Sequence, residues 1–194
     1  MIAASHSFAN NIIEGNLGSK IQGEVVLKFN YPWSMSFIDN DHLLVATKPG
    51  KLWLVDSFGS KTEVKNIMKV QYGGQGGMGD VVPHPNYKKN KLIYLSYITS
   101  DDGGKTRYAV VDRAKLSDLN SPKLENRQRI WEQFPAVKGK GHFSHRIVFG
   151  PEGSAHENKI FITSGDRQMQ HPAQMWETNF GKIIRLNDDG SVPR

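Results

Sequence analysis

The sequence predicts an all-β fold built from repeated four-stranded antiparallel sheets. Across its 194 residues no segment keeps the 3.6-residue apolar period of a helix, whereas short β-branched and aromatic runs recur throughout. Nineteen glycines and nine prolines lie mostly between those runs, where the chain must turn. The runs also repeat in groups of four, which separates this architecture from other all-β folds.

The first group contains four predicted strands joined by short turns. The strands are Ser34 to Ile38, His42 to Lys48, Lys51 to Asp56 and Thr62 to Ile67. The turns between them carry Asp, Asn, Pro, Gly or Ser, which favour reversal of the chain. Strands connected by such short turns pair antiparallel, so the group predicts one meander sheet.

A second group repeats this order, and a third begins it. The second comprises Met78 to Val82, Leu92 to Thr99, Arg107 to Lys115 and Arg129 to Phe134, and the third comprises Arg146 to Phe149, Lys159 to Ser164 and Gly181 to Leu186. Repeated four-stranded sheets predict a β-propeller, of which this chain supplies about three blades. Because propellers close with roughly four to eight blades, we interpret the sequence as truncated.

Composition describes an ordinary globular protein and excludes several kinds of chemistry. No cysteine is present, which excludes disulfides and thiolate catalysis. No run approaches the ~18 apolar residues of a membrane span. The formal net charge is +6, but the basic residues are scattered, and the densest run (Lys88, Lys89 and Lys91) is predicted to lie in a solvated turn. No nucleic-acid partner is therefore predicted.

The N-terminal segment, residues 1–24, is predicted to lie outside the partial propeller, which spans 25–194. Met1 to Ala9 resembles the tail of a secretory signal, since a short apolar stretch ends there in a small residue. The basic region and full apolar core of a signal are missing from it. The alternative is a short disordered N-terminus.

Three stretches carry motifs whose joint order and spacing are informative. They are Gly74 to Asp80 with 84–87 and 94–97; Gly141 to Arg146 with Phe149 to Gly153; and Thr163 to Arg167 with 173–174, 181–186 and 189–193. A weaker match covers Pro32 to Ser34 and Pro49 to Leu52. From about Trp33 to Pro193, the chain thereby resembles the soluble glucose/sorbosone dehydrogenase family, in particular its aldose sugar dehydrogenases that depend on pyrroloquinoline quinone (PQQ).

The resemblance implies the N-terminal half of a six-bladed, periplasmic or secreted propeller that binds PQQ and calcium. Such enzymes oxidise the C1 hydroxyl of aldoses to lactones and pass electrons to an external acceptor. The family's catalytic histidine falls on His142 and its PQQ-contacting glutamine on Gln75. Some glucose-oxidising members have an acidic residue where this chain has Gly141, so glucose-type recognition does not follow. The calcium ligands and remaining PQQ contacts are expected beyond residue 194, and these residues alone are expected to be inactive.

The residue types at these two positions suit that chemistry. Hydride loss from a hemiacetal carbon requires removal of the hydroxyl proton, and a neutral imidazole such as that of His142 is an effective base near neutral pH. Gln75 lies among four glycines, where a planar ligand could approach the backbone closely. Both residues precede an innermost strand, so they are predicted to lie together at one end of the blade array. In the loop 168–174, Gln170 is the candidate for a substrate contact.

Each of these residues also has an interpretation in which its role is purely structural. His142 alone could be an ordinary loop histidine, and the glycine-rich loop a tight connection between blades. His145 is predicted to be structural. The other polar candidates, His84, Asp80 and Asp166, are predicted to cap turns.

Other functions are also open at this point. The spacing of the histidines matches no zinc pattern. The alternative to a dehydrogenase is a non-catalytic propeller that binds a partner, since fold does not fix function. A third class is a calcium-dependent lactonase propeller, but this sequence has no acidic pocket residues in the loops where that function would need them.

Overall fold

A computed structural model of the chain describes residues 11–194 in two units. The first unit, which ends at Asn30, contains a hairpin of β1 (Asn11–Glu14) and β2 (Lys20–Gly23), closed by a turn in which Gly18 has φ +82°. This hairpin was not predicted from the sequence. The signal-like stretch Met1 to Ala9 lies outside the described residues.

The second unit, Tyr31–Arg194, consists of three antiparallel meander sheets, which we call blades 1, 2 and 3. Blade 1 comprises β3 (Pro32–Phe37), β4 (His42–Thr47), β5 (Lys51–Asp56) and β6 (Lys61–Glu63). Blade 2 comprises β7 (Met78–Pro83), β8 (Leu92–Thr99), β9 (Tyr108–Leu116) and β10 (Leu124–Glu132). Blade 3 has three strands, β11 (Ser144–Phe149), β12 (Lys159–Ser164) and β13 (Lys182–Asn187). The predicted sequence of strands is confirmed.

Blade 2 is buried on both faces, because it lies between the other two blades. The two-residue period of β8 divides its side chains: Ile93, Leu95 and Tyr97 belong to one core cluster, and Tyr94 and Ile98 to the other. The first cluster includes residues of blade 1 and the second includes residues of blade 3. Leu44, Ala46, Leu52 and Leu54 lie in the first, and Ile147, Ile160, Ile162 and Leu186 in the second. Burying each large aliphatic side chain contributes roughly 1.5–3 kcal/mol, so packing between blades is a main source of stability.

Polar contacts join the innermost strands β3, β7 and β11. Ser34 and Ser36 each donate a 2.7 Å hydrogen bond to a carbonyl of β7. In turn, the buried Asp80 of β7 accepts a 2.8 Å bond from the backbone N–H of Ile147 in β11. These contacts fix the starts of β7 and β11 relative to each other, and the loops before those strands carry the candidate site.

Strand bounds differ from prediction mainly at the outer edges of blades 1 and 2. β6 ends at Glu63 rather than 67, because Val64 and Met68 turn into the core and Asn66 adopts φ +60°. β10 begins at Leu124, five residues before the predicted strand, and contains two register shifts. After Leu124, the residues 125–129 are polar and mostly exposed, so they give no alternating apolar signal.

The lysine-rich segment after β7 was predicted to be a turn and forms a single helical turn instead, α1 (Tyr87–Asn90). Its lysines are exposed, whereas the Tyr87 side chain is buried in the first core cluster. Anchoring by that ring explains the helical turn.

Candidate active site

The loops that precede β7 and β11 lie against each other at one end of the blades. The backbone N–H of Gln75 donates to the carbonyl of Lys140 at 2.8 Å, and the backbone N–H of His142 donates to Oε1 of Gln75 at 2.7 Å. The structure therefore brings together the two residues singled out from the sequence, although 67 positions separate them. The side-chain oxygen of Gln75 is committed to the His142 backbone, so its NH₂ group is the part left for a ligand.

Glycine is required in the Gln75 loop because of close backbone approach. Gly74 has φ +57°, and a Cβ there would lie 2.7 Å from the carbonyl oxygen of Lys140. A Cβ on Gly77 would overlap the carbonyl of Lys48, which accepts the N–H of Met78. The Lys48 ammonium also donates to the Gly74 carbonyl at 2.9 Å. The glycines thus allow the Gln75 loop to pack closely between blade 1 and the His142 loop.

His142 is paired with Asp166, which follows β12. Its Nδ1 lies 2.8 Å from Asp166 Oδ1, and the imidazole is about half exposed, at 49%. The backbone N–H of Gln168 and the His142 ring hold the pKa of Asp166 below its usual range, so this carboxylate is ionised at neutral pH. An ionised carboxylate only accepts hydrogen bonds, so Nδ1 of the neutral ring carries the proton and Nε2 keeps a free lone pair.

Asp166 caps a turn through the N–H of Gln168, as the sequence predicted, but its contact with His142 was missed. The sequence gives one usable signal. Antiparallel pairing places the end of β12 beside the start of β11, so a residue that follows β12 lies near the loop that precedes β11.

An open pocket of about 590 Å³ contains Gln75, His142 and Asp166. Trp33, at the start of blade 1, forms another part of its lining and is 51% exposed. This volume is within the range of small-molecule sites. Sequence reasoning did not select Trp33, because its position depends on how blade 1 packs against blade 2.

Gln170, the predicted substrate contact, is exposed and is not among the residues that line this pocket. Gln168 is not in that lining either, but its side chain lies against Gly141. Its Oε1 lies 2.8 Å from where a Cβ of Gly141 would be, so glycine at that position leaves room for this amide.

A buried polar cluster lies under the His142 loop. His145 is 4% exposed, and its Nδ1 lies 2.8 Å from Ser96 Oγ, which also accepts the N–H of Asp80. Burial lowers the pKa of His145 to about 4, so the ring is neutral near pH 7. Glycine is required at position 79 because the His145 ring occupies the space that a Cβ would fill. This geometry agrees with a structural role for His145.

Away from this site, His84 lies in a turn, as predicted. It accepts the N–H of Asn86 at 2.9 Å, and its Nε2 lies 3.3 Å from Asp188. Within residues 11–194, no group of three or more His, Asp or Glu side chains is arranged to hold a metal ion. No helix in this part of the chain is long and apolar enough to cross a membrane.

Comparison with known proteins gives consistent matches. The family model for glucose / sorbosone dehydrogenase matches residues 29–194. The aldose sugar dehydrogenase YliI of Escherichia coli K12 is 31% identical over 169 residues, covering 86% of this chain and 43% of that protein. A glucose dehydrogenase crystal structure superposes with a TM-score of 0.77 at 30% identity, covering 84% of this chain and 46% of that one.

The fold is also shared with a more distant structure, the PQQ-bound aldose sugar dehydrogenase of Streptomyces coelicolor. Its TM-score is 0.70 at 23% identity, covering 84% of this chain and 46% of that one. The chain spans less than half the length of each of these proteins.

Proposed function

Because the chain belongs to the glucose / sorbosone dehydrogenase family, we propose that it contributes the catalytic base to a PQQ-dependent sugar dehydrogenase. The reaction is oxidation of the C1 hydroxyl of an aldose to the lactone, with hydride transfer to PQQ. The 2.8 Å pairing of His142 with Asp166, at the edge of an open pocket, carries the proposal. An imidazole with one nitrogen held by a carboxylate and the other facing a pocket is suited to general-base catalysis.

In the proposed reaction, Nε2 of His142 takes the proton of the C1 hydroxyl as the C1 hydrogen leaves as hydride. The electron pair of the broken O–H bond forms the C1 carbonyl, which makes the cyclic hemiacetal a lactone. Asp166 stabilises the imidazolium that results, because its carboxylate already accepts the Nδ1 proton. A positioned base of this kind contributes about 10²–10⁴-fold to the rate. PQQ, when bound, supplies the quinone that accepts the two electrons.

The residues present fit one edge of a planar quinone. The NH₂ group of Gln75, which has no hydrogen-bond partner within residues 11–194, can donate to a carbonyl or carboxylate oxygen, and the glycines around it leave the backbone accessible. The NH₂ group of Gln75 would hold the cofactor, and His142 would meet the sugar beside it. We expect calcium ligands and the remaining contacts outside this chain, and therefore no turnover by the 194 residues alone.

The substrate class, electron acceptor and location follow from the same proposal. The relative from Escherichia coli is named an aldose sugar dehydrogenase, so an aldose is the proposed substrate and an external compound the proposed acceptor. A protein with this role would be periplasmic or secreted.

Replacing the base tests the proposal in the intact protein reconstituted with PQQ and calcium. We expect His142→Ala to lower kcat with aldoses by about 10²–10⁴-fold, measured as reduction of a dye acceptor, with little change in PQQ affinity. His156→Ala is a matched control, since that histidine is exposed in the β11–β12 connection. Undiminished turnover by His142→Ala would exclude the assignment. Absence of PQQ binding by the unsubstituted protein would favour a non-catalytic binding propeller.

A further inference from the structure

Arg167, the residue after Asp166, buries its charge without a carboxylate among its hydrogen-bond partners. The residue is only 3% exposed, and its guanidinium lies 3.8 Å above the ring of Phe143. Its side-chain nitrogens donate to the carbonyls of Gly139, Gly141 and Arg107 at 2.6–3.0 Å. Burial, with a smaller contribution from the charge of Arg107, lowers the pKa of Arg167 to about 10, so the side chain remains charged at neutral pH. Burying a charge in this way is unfavourable and needs a reason elsewhere in the fold.

That reason lies in the segment 139–143, which carries His142 and has no helix or strand of its own. All five of its backbone carbonyls accept a hydrogen bond. The Arg167 side chain supplies those to Gly139 and Gly141, and its backbone N–H supplies the one to His142 at 3.2 Å. The other two come from the backbone of Gln75 and Gly165. Arg167 therefore provides three of the five hydrogen bonds that the carbonyls of this loop accept.

The loop needs such support because His142 has an unfavourable backbone conformation. Its φ is +48°, in the left-handed region that non-glycine residues avoid, and Gly139 has φ +100°. Such conformations persist only where surrounding contacts enforce them. A relaxed backbone at His142 would carry the imidazole away from Asp166.

We propose that Arg167 is a positioning residue that holds His142 in the orientation from which its ring meets both Asp166 and the substrate. The inference rests on the proposed function and extends it to a residue that does not touch the reacting atoms. Asp166 orients the imidazole ring of His142, and Arg167 holds the His142 backbone. Two consecutive residues therefore determine the position of the base. The guanidinium carries its five N–H donors on three separate nitrogens in a fixed plane, so it can bond carbonyls that lie farther apart than the single nitrogen of an ammonium group can reach.

The first test measures amide hydrogen exchange in the intact protein without PQQ. The N–H of His142 should exchange at least tenfold more slowly than that of Gly103, in the exposed turn between β8 and β9. In Arg167→Lys and Arg167→Gln, exchange at His142 should become at least tenfold faster. Equal exchange at His142 and Gly103 in the unsubstituted protein would overturn the inference even if neither variant folded.

The second test separates positioning from stability. With saturating PQQ and aldose, both Arg167 variants should lose at least tenfold in kcat with a smaller change in KM. Arg129→Lys is the matched control, because Arg129 also bonds a buried group, Asp112, but in blade 2 and away from the loop. It should lower the thermal midpoint and leave kcat unchanged.

Two outcomes distinguish the inference from the proposed function. If the Arg167 variants lose only thermal stability, as Arg129→Lys does, while His142→Ala is inactive, the positioning role is wrong and the proposed function stands. If His142→Ala is fully active, the proposed function itself fails. In that case the exchange measurements still decide whether Arg167 holds the loop.

Discussion

Acidification should destabilise the protein through His145, the buried histidine beneath the candidate active site. Burial lowers its pKa from 6.5 to about 4, with a smaller contribution in the same direction from the charge of Arg146. As the pH falls below 6.5, the unfolded chain binds a proton at this residue before the folded protein does. Stability therefore rises with pH between about 4 and 6.5, and falls as acid is added.

The size of the effect follows from the two pKa values. Each unit between them corresponds to about 1.36 kcal/mol, so the change from 6.5 to about 4 is worth about 3 kcal/mol once the pH is below 4. Between pH 7 and pH 5 the same two values give a loss of about 2 kcal/mol. Burial also raises the pKa of the neighbouring Asp80, which is present in both of the proteins to be compared.

The measurement is urea unfolding of the protein and of His145→Gln at several values between pH 7 and pH 5. Glutamine can still hydrogen-bond Ser96, but it does not titrate. Burial also lowers the pKa of His84, whose contribution cancels when the two proteins are compared. The unsubstituted protein should lose about 2 kcal/mol more than the variant over this range. Parallel pH dependence in the two proteins would refute the assignment of a neutral, buried His145.

Three further substitutions test other contacts of the site. Gly79→Ala should destabilise the fold by roughly 1–3 kcal/mol, measured by urea unfolding, because its Cβ would overlap the His145 ring; an unchanged midpoint would contradict the packing. Gln75→Glu keeps an oxygen that can accept the His142 N–H but removes the NH₂ group, so it should weaken PQQ binding in a fluorescence titration and preserve kcat better than Gln75→Ala does. Asp166→Asn should lower kcat at least tenfold with little change in the KM for sugar, because an amide does not enforce the required histidine tautomer; steady-state kinetics would show an equal kcat if the pairing were unimportant.

The blades could be predicted from sequence because their signals are local. The nearly continuous apolar run of β8 indicates burial on both faces, and Pro49-Gly50 indicates the turn that follows β4. The outer strands were less predictable. β10 combines exposed polar residues with two register shifts, so its apolar residues do not alternate regularly.

The candidate site could be predicted only in part, for a physical reason. Gln75 and His142 were selected because the resemblance to the family marks those positions. Their proximity was predicted because each precedes an innermost strand, and equivalent connections in repeated sheets lie at one end. The contact of Asp166 with His142 spans 24 residues and depends on the conformation of the chain after β12. Arg167 was missed because a charged residue in a loop is expected to be exposed. Neither its burial nor its acceptors can be inferred from neighbouring residues.

A site on loops can still be held in place when the loop carbonyls are hydrogen-bonded, as the five carbonyls of the segment 139–143 are. The His142 loop is bonded on one side to the Gln75 loop of blade 2, and on the other to Gly165 and Arg167, which follow β12 of blade 3. The distance between Gln75 and His142 is consequently set by the packing of blade 2 against blade 3. Truncating a buried side chain in that interface, such as Ile162, should therefore disturb the site as well as the fold. The geometry of the candidate site and a well-packed interface between blades are, in this protein, the same structural requirement.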